Sequence, residues 1–465
     1  MRMHQTTQLR TMNKPVRLQH INNRIMKTTG ITIAIAALLT SGSANASEGW
    51  TLDKCIEYAI ENNIQVRQSD ITAQNRDVEY NTARNNRLPG LSASSSQGWS
   101  FGRSITANNT YDNINTTNTS FGISTDVTLF AGRRLAGNIE VAELSLEAAK
   151  SDLERIKDDV RVQVAEAFIQ IVYNRSILDV ARNQVTIDSM QVERLSSLAS
   201  IGKASNAEVS SQKATLAQSR LSVTQAENNL KLSLLTLSQL LELPSPEGFD
   251  IVAPVTGDQE LSIPDSPETI YQTALGIKPA IKSEELRLEQ ATKSIDIAKS
   301  GFYPSISLSA GAGSNYYTNN KVQSDSFGTQ LKNNFGQQIG ISMNIPIFSR
   351  NNHRNNVRSA KLNLMNQEMQ LDNAKKKLYK EIQQAYYNAV ASKSRYESSQ
   401  EVQASAQESF ELVQAKYEGG KASITEFNES KNRLVSAQAD VIKYRYEHLF
   451  NTALLEFYRN SSFTL

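Results

Sequence analysis

The chain has 465 residues, 49 lysines and arginines against 47 aspartates and glutamates, and one cysteine, Cys55. That length is ample for a large core, and the near balance of charge argues against a nucleic-acid binder. One cysteine excludes an internal disulfide, and 39% hydrophobic residues is too few for a bundle of membrane helices.

Residues 1–46 read as a secretory signal peptide. Ile31 to Leu39 is a short apolar run with basic residues before it, and Ala44-Asn45-Ala46 offers a small-x-small cleavage site before Ser47. The basic region is long, which makes Met26 an alternative start. The residue directly after the cleavage site is Ser47 and not a cysteine, so no lipid anchor is expected. The leader carries six basic residues (Arg2, Arg10, Lys14, Arg17, Arg24, Lys27) and no acid. Its removal leaves 43 basic and 47 acidic side chains, a net charge of −4. No later apolar stretch is long enough to span a bilayer as a helix. An exported chain of this kind is secreted, periplasmic or a β-barrel of an outer membrane.

Residues 50 to about 87 predict one helix, capped by Thr51, with Leu52, Cys55, Ile56, Ala59 and Ile60 on its apolar face. Leu88-Pro89-Gly90 ends it. The period then becomes two. Leu91, Ala93, Trp99 and Phe101 alternate with small polar residues, and after a polar loop at about 106–119 so do Phe121, Ile123, Thr125, Val127 and Leu129. Such strands, at about ten residues, are long enough to cross a bilayer when tilted, or to form a half-buried hairpin in a soluble sheet. Residues 133–201 contain no proline and predict a helix of roughly 100 Å, which must pack lengthwise on others. In the return helix Val209, Leu216, Val223, Leu230 and Leu237 keep a seven-residue repeat, the seam of a supercoil. Ala214, Ala217, Ser219, Ala226 and Ser233 around it are small, which suits a curved wall of helices better than a dense rod. Residues 243–266 are proline-rich and read as a connector.

The chain then begins again. Residues 267–300 predict a helix, with Ser266 as its cap. Ile306, Leu308, Ala310 and Ala312 alternate with Ser and Gly, a polar loop spans about 314–334, and Ile339, Ile341, Met343, Ile345 and Ile347 alternate in turn. A long helix follows at about 352–417, and another to about 460. At an offset of 218 positions Gly122/Gly340, Ile123/Ile341, Phe130/Phe348, Leu144/Leu362 and Ala167/Ala385 agree; before the first loop the offset is 215, as in Pro89/Pro304. The seam returns as Phe427, Leu434, Val441, His448 and Leu455. Gly202-Lys203-Ala204-Ser205, with Glu208, recurs as Gly420-Lys421-Ala422-Ser423, with Glu426. Each copy pairs a helix-closing glycine with a capping box and predicts the tip of a helical hairpin. The chain is thus an internal duplication: a first repeat over 47–242, with strands at about 89–103 and 118–130, and a second over 267–465, with strands at about 304–316 and 337–349.

Four strands cannot close a barrel, and open edges in lipid leave backbone groups unpaired at several kcal/mol each. Three copies would supply twelve strands, with the helices continuing them as a hollow cylinder. A non-pore trimeric coiled-coil adhesin or surface stalk is the alternative; it requires filled seams and strands buried in a head.

The signal peptide, the duplicated strand-and-hairpin unit, the Leu-Phe-Ala-Gly-Arg turn at 129–133 and Tyr417-x-x-Gly420 followed by acids resemble the TolC family of outer-membrane efflux and export channels. The resemblance covers essentially the whole mature chain. It implies a mainly α fold with β structure: a homotrimer with a twelve-stranded transmembrane β-barrel and a periplasmic α-barrel that tapers shut at its tip. It also implies a place in the outer membrane of a Gram-negative bacterium, with a periplasmic adaptor and an inner-membrane pump as partners. By the same resemblance Glu426 and Glu429 stand at the acidic rings of the tip, with Glu208 the first-repeat counterpart, while both Glu208 and Glu426 also read as capping acids. Tyr417 matches a latch tyrosine. Ala422 stands where a basic latch residue is expected, with Lys421 a possible substitute. Ile201, Gly202, Lys203, Ala204, Gly420, Lys421, Ala422 and Ser423 are the expected adaptor contacts. Trp99, Phe101, Tyr316 and Tyr317 read as girdle or loop-packing aromatics. His448 reads as a packing or interhelical hydrogen-bond residue. No cysteine or histidine cluster has metal spacing, and neither a phosphate loop nor a nucleophile elbow is present. No catalytic, cofactor or metal site is expected, and no enzyme activity.

Overall fold

The computed structural model describes residues 49–105, 109–253 and 265–463. The expected signal peptide lies outside the described residues, as does most of the connector. In chain order the elements are α1 (Leu52–Asn62), α2 (Ile64–Asn85), β1 (Gly90–Ser100), β2 (Arg103–Ile105), β3 (Tyr111–Asn113), β4 (Thr116–Ala131), α3 (Arg134–Ser200) and α4 (Asn206–Leu240). The second half supplies α5 (Pro267–Ile277), α6 (Pro279–Ser300), β5 (Ser305–Asn319), α7 (Phe327–Asn333), β6 (Gly336–Asn344), α8 (Asn352–Glu418) and α9 (Ile424–Asn460).

Both leading helices differ from expectation, and in the same way. The predicted helix 50–87 breaks at Asn63, and 267–300 breaks at Lys278, the position 215 residues on. Asn63 leaves the helical region, caps α2 by accepting from Gln65 N at 2.9 Å, and donates to the Leu240 carbonyl at 3.0 Å. Lys278 precedes Pro279, which disfavours helical backbone at the residue before it. Its Nζ donates to the Phe457 carbonyl at 2.9 Å and lies 3.7 Å from the centre of the Phe457 ring. Each break thus places a donor on a carbonyl in the last turn of a return helix, Leu240 of α4 in one repeat and Phe457 of α9, which also accepts from Ser461 N, in the other. Burial pushes the Lys278 ammonium below its ordinary value, and Asp158 opposes that shift.

The four main strands form one antiparallel sheet in the order β1-β4-β5-β6. Leu91, Thr125, Ala310 and Ile339 stand in one row across it, and Ser92, Ser124, Gly311 and Gln338 in the next. One face is therefore apolar, and the other is small and polar, with Ser92 and Ser124 hydroxyls 3.0 Å apart. The polar loops hold structure that the residue pattern did not announce: the β2–β3 ribbon in the first, and α7 in the second, where Phe327 packs against Phe121 and Tyr316. β6 also stops at Asn344, short of the expected alternation to Ile347; Pro346 has no N–H to extend the ladder.

Below the sheet, α2, α3, α6 and α8 lie side by side in the same order as the strands they adjoin. α3 and α8 have 67 residues each, roughly 100 Å. The main core sits midway, where Cys55 and Ala59 of α1 meet Val164, Phe168 and Ile171 of α3 and Leu237 of α4. A second core joins Ile270, Ile281, Ile382, Ala389 and Leu455. The seven-residue seam is buried at Val209, Leu216 and Leu237, and again at Phe427, Leu434, His448 and Leu455. On the same side of α4, Ser219, Ala226 and Ser233 are buried without filling much volume.

His448 is fully buried, with Nδ1 3.0 Å from the Ala389 carbonyl and 3.4 Å from the Ser392 hydroxyl, and Nε2 3.4 Å from Thr452. Burial holds its imidazole below the ordinary value of 6.5, against the Ala389 carbonyl, which favours the charged ring. The unfolded chain therefore binds this proton more readily, and stability is lost as pH falls below 6.5. His448→Gln, which keeps a donor and an acceptor, should flatten the fall in melting temperature between about pH 7 and pH 5.

Candidate hairpin tips and the charge pair behind them

Each hairpin turns on a glycine. Gly202 and Gly420 have φ of +76° and +71°, a region open to glycine at no steric cost. The following amide reaches back into the helix just closed, Lys203 N to Leu198 O and Lys421 N to Lys416 O, both 2.8 Å. These are Schellman closures. Ser205 and Ser423 then start the return helices with reciprocal bonds to Glu208 and Glu426. The Ser205 N–H reaches Glu208 at 2.8 Å, and the Ser423 N–H reaches Glu426 at 2.7 Å. The backbone bond from Ser205, then its hydroxyl, hold the Glu208 carboxyl below the usual range.

Glu429 lies exposed one turn beyond Glu426 and accepts from Arg433 at 2.5 Å. Tyr417 stacks within the chain, its ring 5.0 Å from that of Phe427, and partial burial raises its phenol. The cation over Tyr417 is Arg194 of α3, 5.0 Å from the ring centre, rather than Lys421. Arg194 also donates to the Glu418 carbonyl at 3.0 Å, so it ties the first hairpin to the end of α8. Ile201, Gly202, Lys203, Gly420 and Lys421 are exposed at the two bends, while Ala204 and Ala422 are half-buried beside them.

About two turns into α9 from this tip lies a charge pair that pattern reading missed. Lys431 of α9 and Asp188 of α3 are 1% and 0% exposed and form an ion pair. Asp188 also accepts from Gln184 at 3.0 Å, from Gln212 of α4 at 3.3 Å and from the Ser219 hydroxyl. Gln212 in turn accepts from Asn428 at 3.1 Å. The network joins three helices of both hairpins. It is not duplicated: 218 positions away stand Ala406 and Lys213. The one signal in the sequence is that Gln212 and Ser219 occupy successive heptad positions where a closed seam wants bulk. Among the described residues no group of acids, histidines and cysteines is arranged to hold a metal ion.

A sheet with one apolar face, joined end-on to two long helical hairpins, is a mainly helical, elongated architecture with β structure at one end. Residues 55–242 and 270–458 match the family model described as outer membrane efflux protein, once for each repeat. The chain is 22% identical over 420 residues to the outer membrane efflux protein BepC of Brucella suis biovar 1, covering 89% of this chain and 87% of that protein. It is also 22% identical over 428 residues to the outer membrane protein TolC of Escherichia coli K12, covering 90% and 83%. The crystal structure of the outer membrane protein VceC from Vibrio cholerae superposes with a TM-score of 0.74 at 16% identity, covering 88% of this chain and 96% of that one. The chain belongs to the outer membrane efflux protein family, whose members are channels and not enzymes.

Removing one partner of the buried pair leaves an uncompensated charge. Asp188→Asn or Lys431→Met should each cost about 3–5 kcal/mol, read as a lowered melting temperature and faster proteolysis at the tips. Asp188→Asn combined with Lys431→Met removes both charges while keeping an amide oxygen for Gln212 and Ser219, and should recover part of that loss.

Proposed function

We propose that three copies of this chain close into one tube that serves as the passive exit duct of a tripartite efflux or type I secretion system. The observation that carries this is the sheet itself. β1 and β6 are bare edges, and its apolar face is open: Leu91, Ile339 and Ile341 are 79%, 81% and 71% exposed. That face suits lipid, and the edges suit the β6 and β1 of neighbouring copies. Three copies give twelve strands, with the Ser/Gly face inward. The row α2-α3-α6-α8 ends at the same two edges, so one threefold operation closes the helices as well. Strands exposed on their apolar face do not fit the buried head that a coiled-coil adhesin requires.

On this reading the tube lies in the outer membrane of a Gram-negative bacterium, with the helices in the periplasm and residues 1–46 removed on export. The bends at Gly202 and Gly420 meet a periplasmic adaptor, whose inner-membrane pump supplies the energy. Small residues there let another hairpin approach closely. Glu426 and Glu429, with Glu208 behind, ring the axis in three copies and favour cations. Glu426 serves both as a cap and as a ring acid, since one carboxylate oxygen holds the cap. Arg194 over Tyr417 takes the place of the basic latch residue that Ala422 lacks.

Single-channel recording in planar bilayers tests the reading. Wild type should give small, cation-selective currents, and Glu426→Ala with Glu429→Ala should weaken the selectivity. Unchanged selectivity removes these two acids as the constriction; absence of any conductance removes the duct.

A further inference from the structure

The strand–helix junctions carry a charge pattern that an exit duct does not use. Arg87 stands between α2 and β1, Arg133 just before α3 and Arg134 at its first position, Arg350 just before α8, and Arg354 and Arg358 in the first two turns of α8. All six are exposed, and none has a carboxylate partner among the described residues. Exposed apolar side chains stand among them: Leu88, Phe130, Tyr303 and Phe348.

Between the β4–α3 and α6–β5 junctions this collar deepens into a cavity of about 540 Å³. Phe130, Ile297 and Tyr303 give it apolar walls, and Arg133, Lys293 and Lys299 line it with cations. Lys293 is paired with Glu140 and Lys299 with Asp296, both at 2.9 Å, so Arg133 is the uncompensated charge. The sheet register says which way the cavity faces. Phe130 pairs with Ile306 and Ile306 with Met343, two rows on from Val127, Leu308 and Ile341 and so on the same face. The cavity therefore lies at the foot of the apolar face.

We propose that this cavity binds one anionic glycerophospholipid per chain, its phosphate on Arg133 and its acyl chains along the apolar face above Phe130. The inference rests on the reading of that face as the one that meets lipid. A guanidinium fork matches phosphate oxygens with two parallel bonds, which a lysine cannot do. Arginines at such a boundary lay their stems on apolar neighbours and keep the charge in the headgroup layer. Anionic headgroups gather at basic segments beside a membrane. The lining holds three cations and two carboxylates, so one positive charge is left over, which a net anionic headgroup answers and a net neutral zwitterion does not. A neighbouring copy would need spare acids here, and the junction acids Glu140 and Asp296 are already paired within the chain.

Native mass spectrometry of the full-length protein, released from detergent after incubation with equal phosphatidylglycerol and phosphatidylethanolamine, reads the preference. Wild type should retain phosphatidylglycerol about fivefold over phosphatidylethanolamine, at up to one lipid per chain. Arg133→Asn keeps a residue that tolerates the left-handed backbone there (φ +68°). Combined with Arg134→Gln, it should bring the two lipids to near-equal retention. Lys299→Glu, at an exposed rim position, should lower the preference by itself, so a folding failure of one variant leaves the other as a test. Equal retention by wild type, or a preference that survives both variants, overturns the proposal while leaving the duct standing. Arginines that prove necessary only for subunit association, with no lipid preference in wild type, overturn it equally. A protein that needs no detergent and retains neither lipid overturns both readings.

Discussion

The structure depends on an unmet obligation of the backbone. A four-stranded sheet has two edges, and here β1 offers 11 residues and β6 offers 9 with one side of each ladder unpaired. In water such edges invite aggregation; in hydrocarbon each unpaired group costs several kcal/mol. Neither edge is blunted by the usual devices, since the polar-face residues of β1 are serines and glycines and those of β6 are glycine, glutamine, serine and asparagine. Pro346 lies beyond the end of β6 and does not cap it. The edges read as joints, and the helices α2 and α8 that adjoin them are left bare at the same two flanks.

Polar groups inside the helical part mark where it is held in register. Long amphipathic helices with a single heptad seam can slide or splay, because small residues such as Ser219 and Ala226 leave the second seam position open. Three devices oppose this. Near the middle, Asn63 and Lys278 break their helices and clamp the carbonyl ends of α4 and α9. At the tip, Arg194 spans from α3 to Tyr417 and Glu418. Between them, Asp188 and Lys431 tie the two hairpins together, where a lost partner is more costly than the pair is stabilising. The first device is repeated by the duplication. The other two are not, so the two hairpins, alike in backbone, are not equivalent in how they are held.

Much of this was legible in the residues. The tips follow from local chemistry, a left-handed glycine and a Ser-x-x-Glu box. The strands follow from alternation, and the duplication from the constant offset; the efflux protein family model matches each repeat separately, over 55–242 and 270–458. What escaped depends on distance along the chain. Lys431 and Asp188 are 243 positions apart, and Lys278 and Phe457 are 179 apart. A lysine or aspartate on a charged helix reads as solvated until its neighbours are known. The break at Asn63 gave only a weak local sign, an asparagine that can cap by accepting from Gln65 N; its second bond, to the Leu240 carbonyl 177 positions away, is out of reach of local pattern. The β2–β3 ribbon and α7 sit in stretches whose polarity reads as loop, and α7 is held chiefly by Phe327 against the sheet.

Closure of the sheet between copies is the claim on which the account turns, and cross-linking tests it most directly. Ser92 on β1 and Gln338 on β6 lie in one row of the sheet, three strand spacings apart, about 14 Å. A bifunctional maleimide with a reach of about 10 Å therefore cannot join them within a chain, given that spacing. Cys55 does not interfere, since it is buried and burial pushes its thiol up to about 12. Closure of a tilted barrel staggers one copy along the strand relative to the next, so paired cysteines are stepped along β1 (Gly90–Ser100) and β6 (Gly336–Asn344) until the matching register is met. At that register the detergent-solubilised protein should give a denaturation-resistant species of three chains, and with either cysteine alone only monomers. A protein that stays monomeric after full modification at every register would contradict the account.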